Sequence, residues 1–199
     1  MREKILEASK DLFLNLGFKS VTMDEIASNM GVSKKTIYKY FKNKTALVAA
    51  VADYMFETIC CGIDGILEQE TNPIDELFAI KKLVMNHLKN EKASPFYQFQ
   101  KYYPKIFTVL RKNQFEIMQD TITDNLERGI KMNLYRENLN KDFISRIYFY
   151  GVSTIKDQDN FPLTHFSMGE LMNYYLEYHI RGIATEKGIQ ELKNQLTHK

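Results

Sequence analysis

Lys34, Lys35, Thr36, Tyr38, Lys39 and Tyr40 fall within one short segment. On a 3.6-residue period Lys35 and Lys39 share a face, with Thr36 and Tyr40 beside them, while Ile37 and Phe41 point the other way. Lysine ammonium groups can donate to guanine O6 and N7. A threonine can meet a thymine methyl, and tyrosine hydroxyls can reach phosphate oxygens. The chemistry on offer is recognition of a duplex through its major groove. Lys42 and Lys44 flank the next helix start, where backbone N–H groups favour a phosphate. On charge alone, a solvated basic helix in a small bundle explains this face equally well, so the flanking signals decide.

Those signals build a frame. Ile5, Ala8, Leu12, Phe13 and Leu16 form one apolar helix stripe that Gly17 ends. Thr22-Met23-Asp24-Glu25 reads as a capping box, opening a short helix with Ile26, Ala27 and Met30 on its apolar face. Gly31 terminates it, Val32 bridges a tight turn, and Ser33 caps a helix from Lys34 to about Tyr40. A two-turn helix, a glycine-cornered turn and a second short helix is the layout of a helix-turn-helix.

Further along, Asn43 caps a helix expected to run to about Glu70, roughly 40 Å at ~1.5 Å per residue and long enough to connect two domains. Asn72-Pro73 opens a helix carried by Leu77, Ile80, Leu83, Val84 and Leu88 to about Lys92. Ser94-Pro95 opens another, and Pro104 divides it from a helix over 105–132, with a kink expected near Lys112-Asn113. Residues 133–140 and 156–163 are polar and read as loops; 141–155, 167–183 and 186–196 read as helices. The expected fold is all-α, about nine or ten helices, with a DNA-binding head over residues 1–46 and a larger helical body over 47–199.

Charge and composition narrow the function classes. The first 47 residues carry nine Lys or Arg against five Asp or Glu, and the remainder 18 against 20, so the basic excess sits where a polyanion would dock. No GxGxxG or GxSxG occurs, and Lys44-Thr45 ends like a phosphate loop without its glycines. His87, His165, His179 and His198 have no metal-site spacing. Neither catalysis, a cofactor nor a metal is expected. Adjacent Cys60 and Cys61 read as two small buried or half-buried residues. There is no run of about 18 uncharged apolar residues and no apolar leader, so the expectation is a cytoplasmic protein without a membrane partner.

Met1–Val51 resembles the N-terminal domain of the TetR family of bacterial transcriptional regulators. The resemblance lies in Ile5-Leu6-Glu7-Ala8, Leu12-Phe13, Leu16-Gly17-Phe18, Thr22 to Ala27 and, most specifically, Met30 to Lys44 with Ala46-Leu47. It implies that Ser33, Lys34, Lys35 and Thr36 meet base edges or nearby phosphates. It implies too that Tyr38, Tyr40, Lys44 and Thr22 grip phosphates, with Lys39 doing either. The implied protein is a repressor that binds an inverted-repeat double-stranded operator as a homodimer and is released by a small-molecule effector.

The resemblance also implies a dimer built from the helices near 141–155 and 167–183, where Phe143, Ile147, Tyr150, Leu171, Tyr174, Tyr175 and Tyr178 leave unusually apolar surfaces. An effector pocket in the body would take an apolar or aromatic molecule. Its candidate walls are Phe78, Met85, Phe96, Phe99, Tyr103, Phe107, Phe115 and Met118, although aromatic stripes at helical spacing also serve as plain core. His87 is the one titratable group placed to orient such a ligand.

Overall fold

The computed structural model describes residues 1–87, 93–157, 160–162 and 164–197. Ten helices follow in order: α1 (Arg2–Leu16), α2 (Met23–Asn29), α3 (Lys34–Tyr40), α4 (Lys44–Leu67), α5 (Pro73–His87), α6 (Ala93–Tyr102), α7 (Pro104–Lys131), α8 (Lys141–Thr154), α9 (Met168–Ile183) and α10 (Glu186–Thr197). Among the described residues there is no strand, only an isolated bridge between Tyr135 and Ala184. The all-α expectation therefore holds. Two caps read from the sequence are formed: Asn43 accepts from the Ala46 N–H at 2.9 Å and Asn72 from those of Ile74 and Asp75 at 3.0 Å; Asn140, in a stretch read only as a loop, also caps α8, accepting from the Phe143 N–H at 3.0 Å. α4 stops at Leu67 rather than Glu70, because the chain turns over residues 68–70 and Glu70 takes a positive φ of 48°. Continuation of α5 to Leu88 and Lys92 lies outside the described residues, as does His198.

The chain forms two compact units. The first comprises Met1–Cys61 with His87–Lys112, and the second Gly62–Asn86 with Asn113–Lys199. The first unit is organised around Ile5, Leu6, Phe13, Ile26, Ile37 and Leu47, all essentially fully buried. Burying a side chain of this size stabilises by about 1.5–3 kcal/mol. α6 belongs to this core. Phe99 stacks on Phe18, which stacks on Phe13, each at 4.9 Å between centroids. α4 is long and apolar enough to cross a membrane by length and composition alone, with a mean hydropathy of 1.6. Its Leu47, Val48 and Val51 nevertheless fill the first unit's core, and Asp53 and Glu57 lie exposed on it.

The second unit packs α5, the rest of α7, and α8 to α10 around Ile74, Leu126, Leu176 and Ile180. Its polar-looking loop is firmly tied: Leu134 and Tyr135 are buried, the Arg136 N–H donates to the Ile183 carbonyl at 2.9 Å and the Thr185 N–H to that of Leu134 at 2.9 Å. A buried polar cluster joins α5 to α7. Glu76 is fully buried and accepts from Asn125 Nδ2 at 2.7 Å and from an Arg128 Nη at 2.6 Å; Asn125 also donates to the Pro73 carbonyl and accepts from the Tyr135 hydroxyl at 3.1 Å.

His179 is also buried in this unit. It lies against Tyr148 at 4.9 Å and Tyr175 at 6.0 Å between ring centroids, and burial pushes its pKa down to about 4. Unfolding returns it to the ordinary range, so between those values the unfolded chain binds the extra proton. Stability is thus full above the ordinary histidine pKa and falls as pH drops toward 4, by about 3 kcal/mol for this group. His179→Gln should flatten urea midpoints measured from pH 7 to pH 4; an unchanged slope would mean that His179 is solvated.

Candidate nucleic-acid interface

α3 is set by its neighbours on both sides. Ser33, in an extended conformation, accepts from the Thr36 N–H at 3.1 Å, and its hydroxyl bonds that of Thr36 at 2.9 Å. The preceding α2 carries the full capping box: Glu25 N–H to Thr22 Oγ1 at 3.1 Å and Thr22 N–H to Glu25 Oε2 at 2.6 Å. Gly31 turns the chain between them with φ +64°, and no atom lies within 4 Å of the place a Cβ would take. Gly31→Val is therefore a pure backbone penalty, expected to destabilise the first unit by about 1–2 kcal/mol. Thermal melting checks it, and an unaltered transition would show that the turn tolerates an L-residue.

Anchored by Ile37, which is wholly buried, α3 displays its other side. Thr22, Ser33, Lys34, Lys35, Tyr38, Lys39 and Tyr40 are exposed; Thr36 and Lys44 are half-buried. The two phenols stand out, Tyr38 at 42% and Tyr40 at 39% exposure. Lys34 reaches back to Asp24 of α2 at 2.8 Å, and that hydrogen bond, together with the carboxylate's charge, holds its pKa above the usual lysine value. The pair is solvent-exposed and screened by water, so Lys34 can be redirected to a phosphate. Nothing local in the sequence announces this pairing, since Asp24 sits within the capping box ten residues before Lys34.

Lys44, at the first turn of α4, is shaped differently. Its ammonium donates to the Lys19 carbonyl at 3.1 Å, and burial pushes its pKa down, partly countered by the charge of Glu25. Lys19 itself is held by α6: its N–H donates to Gln98 Oε1 at 2.8 Å, and its ammonium lies 5.3 Å from the Tyr102 ring centroid.

The remaining candidates divide between the units. Phe99 is buried in the first unit's core with Tyr103 and Phe107 packed around it, and Phe96 meets Phe107 edge-on at 5.3 Å. His87, half-buried, belongs to this unit too. Phe78, Met85, Phe115 and Met118 belong to the second, where Phe78 and Met85 join its core and Phe115 meets Phe149 edge-on at 5.1 Å. On α8 and α9, Phe143 (57%), Ile147, Tyr150, Tyr174 and Tyr178 (75%) are exposed. Leu171 is buried in the second unit's core, and Tyr175 donates its hydroxyl to the Ile147 and Tyr148 carbonyls.

A capped two-helix motif displaying Lys, Thr and Tyr has the layout of a helix-turn-helix. Residues 5–51 match the family model described as bacterial regulatory proteins, tetR family. The match lies in the N-terminal segment, which is therefore similar to that family's DNA-binding part.

Among its relatives, the HTH-type transcriptional regulator YerO of Bacillus subtilis is 29% identical over 145 residues, 73% of this chain; the chain spans 44% of YerO. Two solved structures share the fold. Regulatory protein TetR from Rhodobacter sphaeroides has a TM-score of 0.74 at 15% identity, over 92% of this chain and 98% of that one. The complex of triclosan with SmeT, the repressor of a Stenotrophomonas maltophilia multidrug efflux pump, has 0.67 at 14%, over 93% and 92%.

Proposed function

We propose that this regulator is a ligand-responsive repressor that binds an inverted-repeat operator as a homodimer. The observation that carries the reading is the division of α3: Ile37 locked into the core, with Lys35, Lys39 and Tyr40 displayed. In it, residues 1–46 hold DNA and residues 47–199 pair and regulate. Ser33, Lys34, Lys35 and Thr36 read base edges or adjacent phosphates; Thr22, Tyr38, Tyr40 and Lys44 hold phosphates, and Lys39 does either. A two-fold pair would present its α3 helices about 34–36 Å apart or somewhat more, on successive major grooves.

The exposed apolar residues of α8 and α9 support the pairing, since Phe143, Ile147 and Tyr150 recur at helical spacing and Tyr174 and Tyr178 do likewise. For the effector, the reading favours an apolar or aromatic molecule against Phe78, Met85, Phe115 and Met118. SmeT has been solved with triclosan, an observation about SmeT that makes the effector worth seeking here. A ligand regulates only if it binds the DNA-competent and incompetent states differently.

The test is fluorescence anisotropy with a random duplex and with DNA from upstream of the coding region. If six to ten phosphates are contacted, affinity drops roughly 10³–10⁵-fold between 50 and 200 mM salt. Salt-insensitive binding, or no preference for upstream DNA, defeats the proposal.

A further inference from the structure

We propose that Gln98 of α6 is a positioning residue for DNA binding: its side-chain amide fixes the loop between α1 and α2, and through that loop the two phosphate-holding positions Thr22 and Lys44. The inference rests on the phosphate roles assigned to those two residues above.

Three consecutive loop residues are engaged by α6. At Gly17, with φ +89°, a Cβ would lie 2.5 Å from Gln98 Oε1 and 2.6 Å from Nε2, so the amide occupies the space that only glycine leaves. Phe18 stacks on Phe99, the next residue of α6. The Lys19 N–H donates to Gln98 Oε1 at 2.8 Å, while the Lys19 carbonyl accepts from Lys44 Nζ at 3.1 Å. One peptide segment is thus held from one side by α6 while it holds the lysine at the start of α4 on the other. Three residues beyond Lys19, past buried Val21, stands Thr22, whose hydroxyl caps α2. Loss of the Gln98 acceptor frees Lys19, removes the fixed carbonyl that orients the Lys44 ammonium, and lets the Thr22 end of the loop wander. A phosphate that met a preset pair of donors then has to order them itself.

Full-length Gln98→Met and Gln98→Glu proteins would be titrated with a random-sequence 30-bp duplex between 50 and 200 mM salt. Methionine keeps the size and removes the acceptor. It is expected to weaken binding about tenfold and to make the log K against log salt slope shallower by about two, one lysine contact per subunit. Glutamate keeps an acceptor and should recover most of the lost affinity at 200 mM, where its added charge is screened. A purely structural role would lower the melting temperature of both variants without this split. Gln98→Met binding like the wild type, in affinity and slope, overturns the proposal; if Lys35→Ala weakens binding in the same titration, the reading of the head survives without it. Wild-type protein lacking salt-dependent binding overturns both. Independent of any variant, the Lys19 amide should exchange its hydrogen far more slowly than an open loop amide, and exchange at the open-loop rate also overturns it.

Discussion

If the proposed function holds, Lys35→Ala is expected to weaken binding to an inverted-repeat operator by about 2–6 kcal/mol per dimer. A lysine on a guanine edge is worth roughly 1–3 kcal/mol, and a two-fold complex loses it twice. The side chain is exposed on α3 and absent from the core, so the melting temperature should not move. Tyr40→Ala, which would remove the proposed phosphate contact, should cost less and act evenly across sequences. Anisotropy on the operator and on a random duplex separates the two. Lys35→Ala narrows the gap between them, whereas Tyr40→Ala lowers both together. If neither substitution changes affinity, the displayed face of α3 is not the surface that meets DNA.

Arg128→Ala is expected to destabilise the second unit by about 3 kcal/mol, lowering its melting temperature by roughly 6–12 °C. The guanidinium bonds Glu76 at 2.6 Å and Asp124 at 2.7 Å. Without it the fully buried Glu76 carboxylate keeps only the neutral donor of Asn125 among the bonds described above, and an uncompensated buried charge is costly. The figure stands at the low end of the range for such pairs because Arg128 is 30% exposed. Pairing the change with Glu76→Gln should recover part of the loss, since the charge is then gone. A single substitution costing under about 1 kcal/mol, or a double no better than the single, would show that water serves Glu76 in the arginine's place.

The parts legible in the sequence were those whose causes are local. Thr22 with Glu25, Ser33, Asn43 and Asn72 each act within three residues, so each of these caps could be anticipated and each is formed. Ile37 on the buried side of α3 followed from helical period alone. Long-range pairings gave no such signal. Gln98 and Lys19 are 79 positions apart, and nothing in the local pattern of either announces the other. Glu76 looked like an ordinary first-turn acid favourable to a helix N-terminus, while its partners Asn125 and Arg128 lie about fifty residues away. The aromatic run from Phe96 to Phe107 shows the same limit: periodicity marks it as apolar, yet only packing reveals that Phe99 shares a core with Phe13 and Phe18.

A seven-residue helix cannot persist alone in water; α3 exists because Ser33 closes one end and Ile37 is gripped by the core. Its shape is consequently imposed from behind, while positions 35, 39 and 40 contribute nothing to the core. Those positions can be exchanged with little effect on folding, so retargeting to a different binding sequence need not pass through an unstable ancestor, and a library randomised there should return mostly folded proteins.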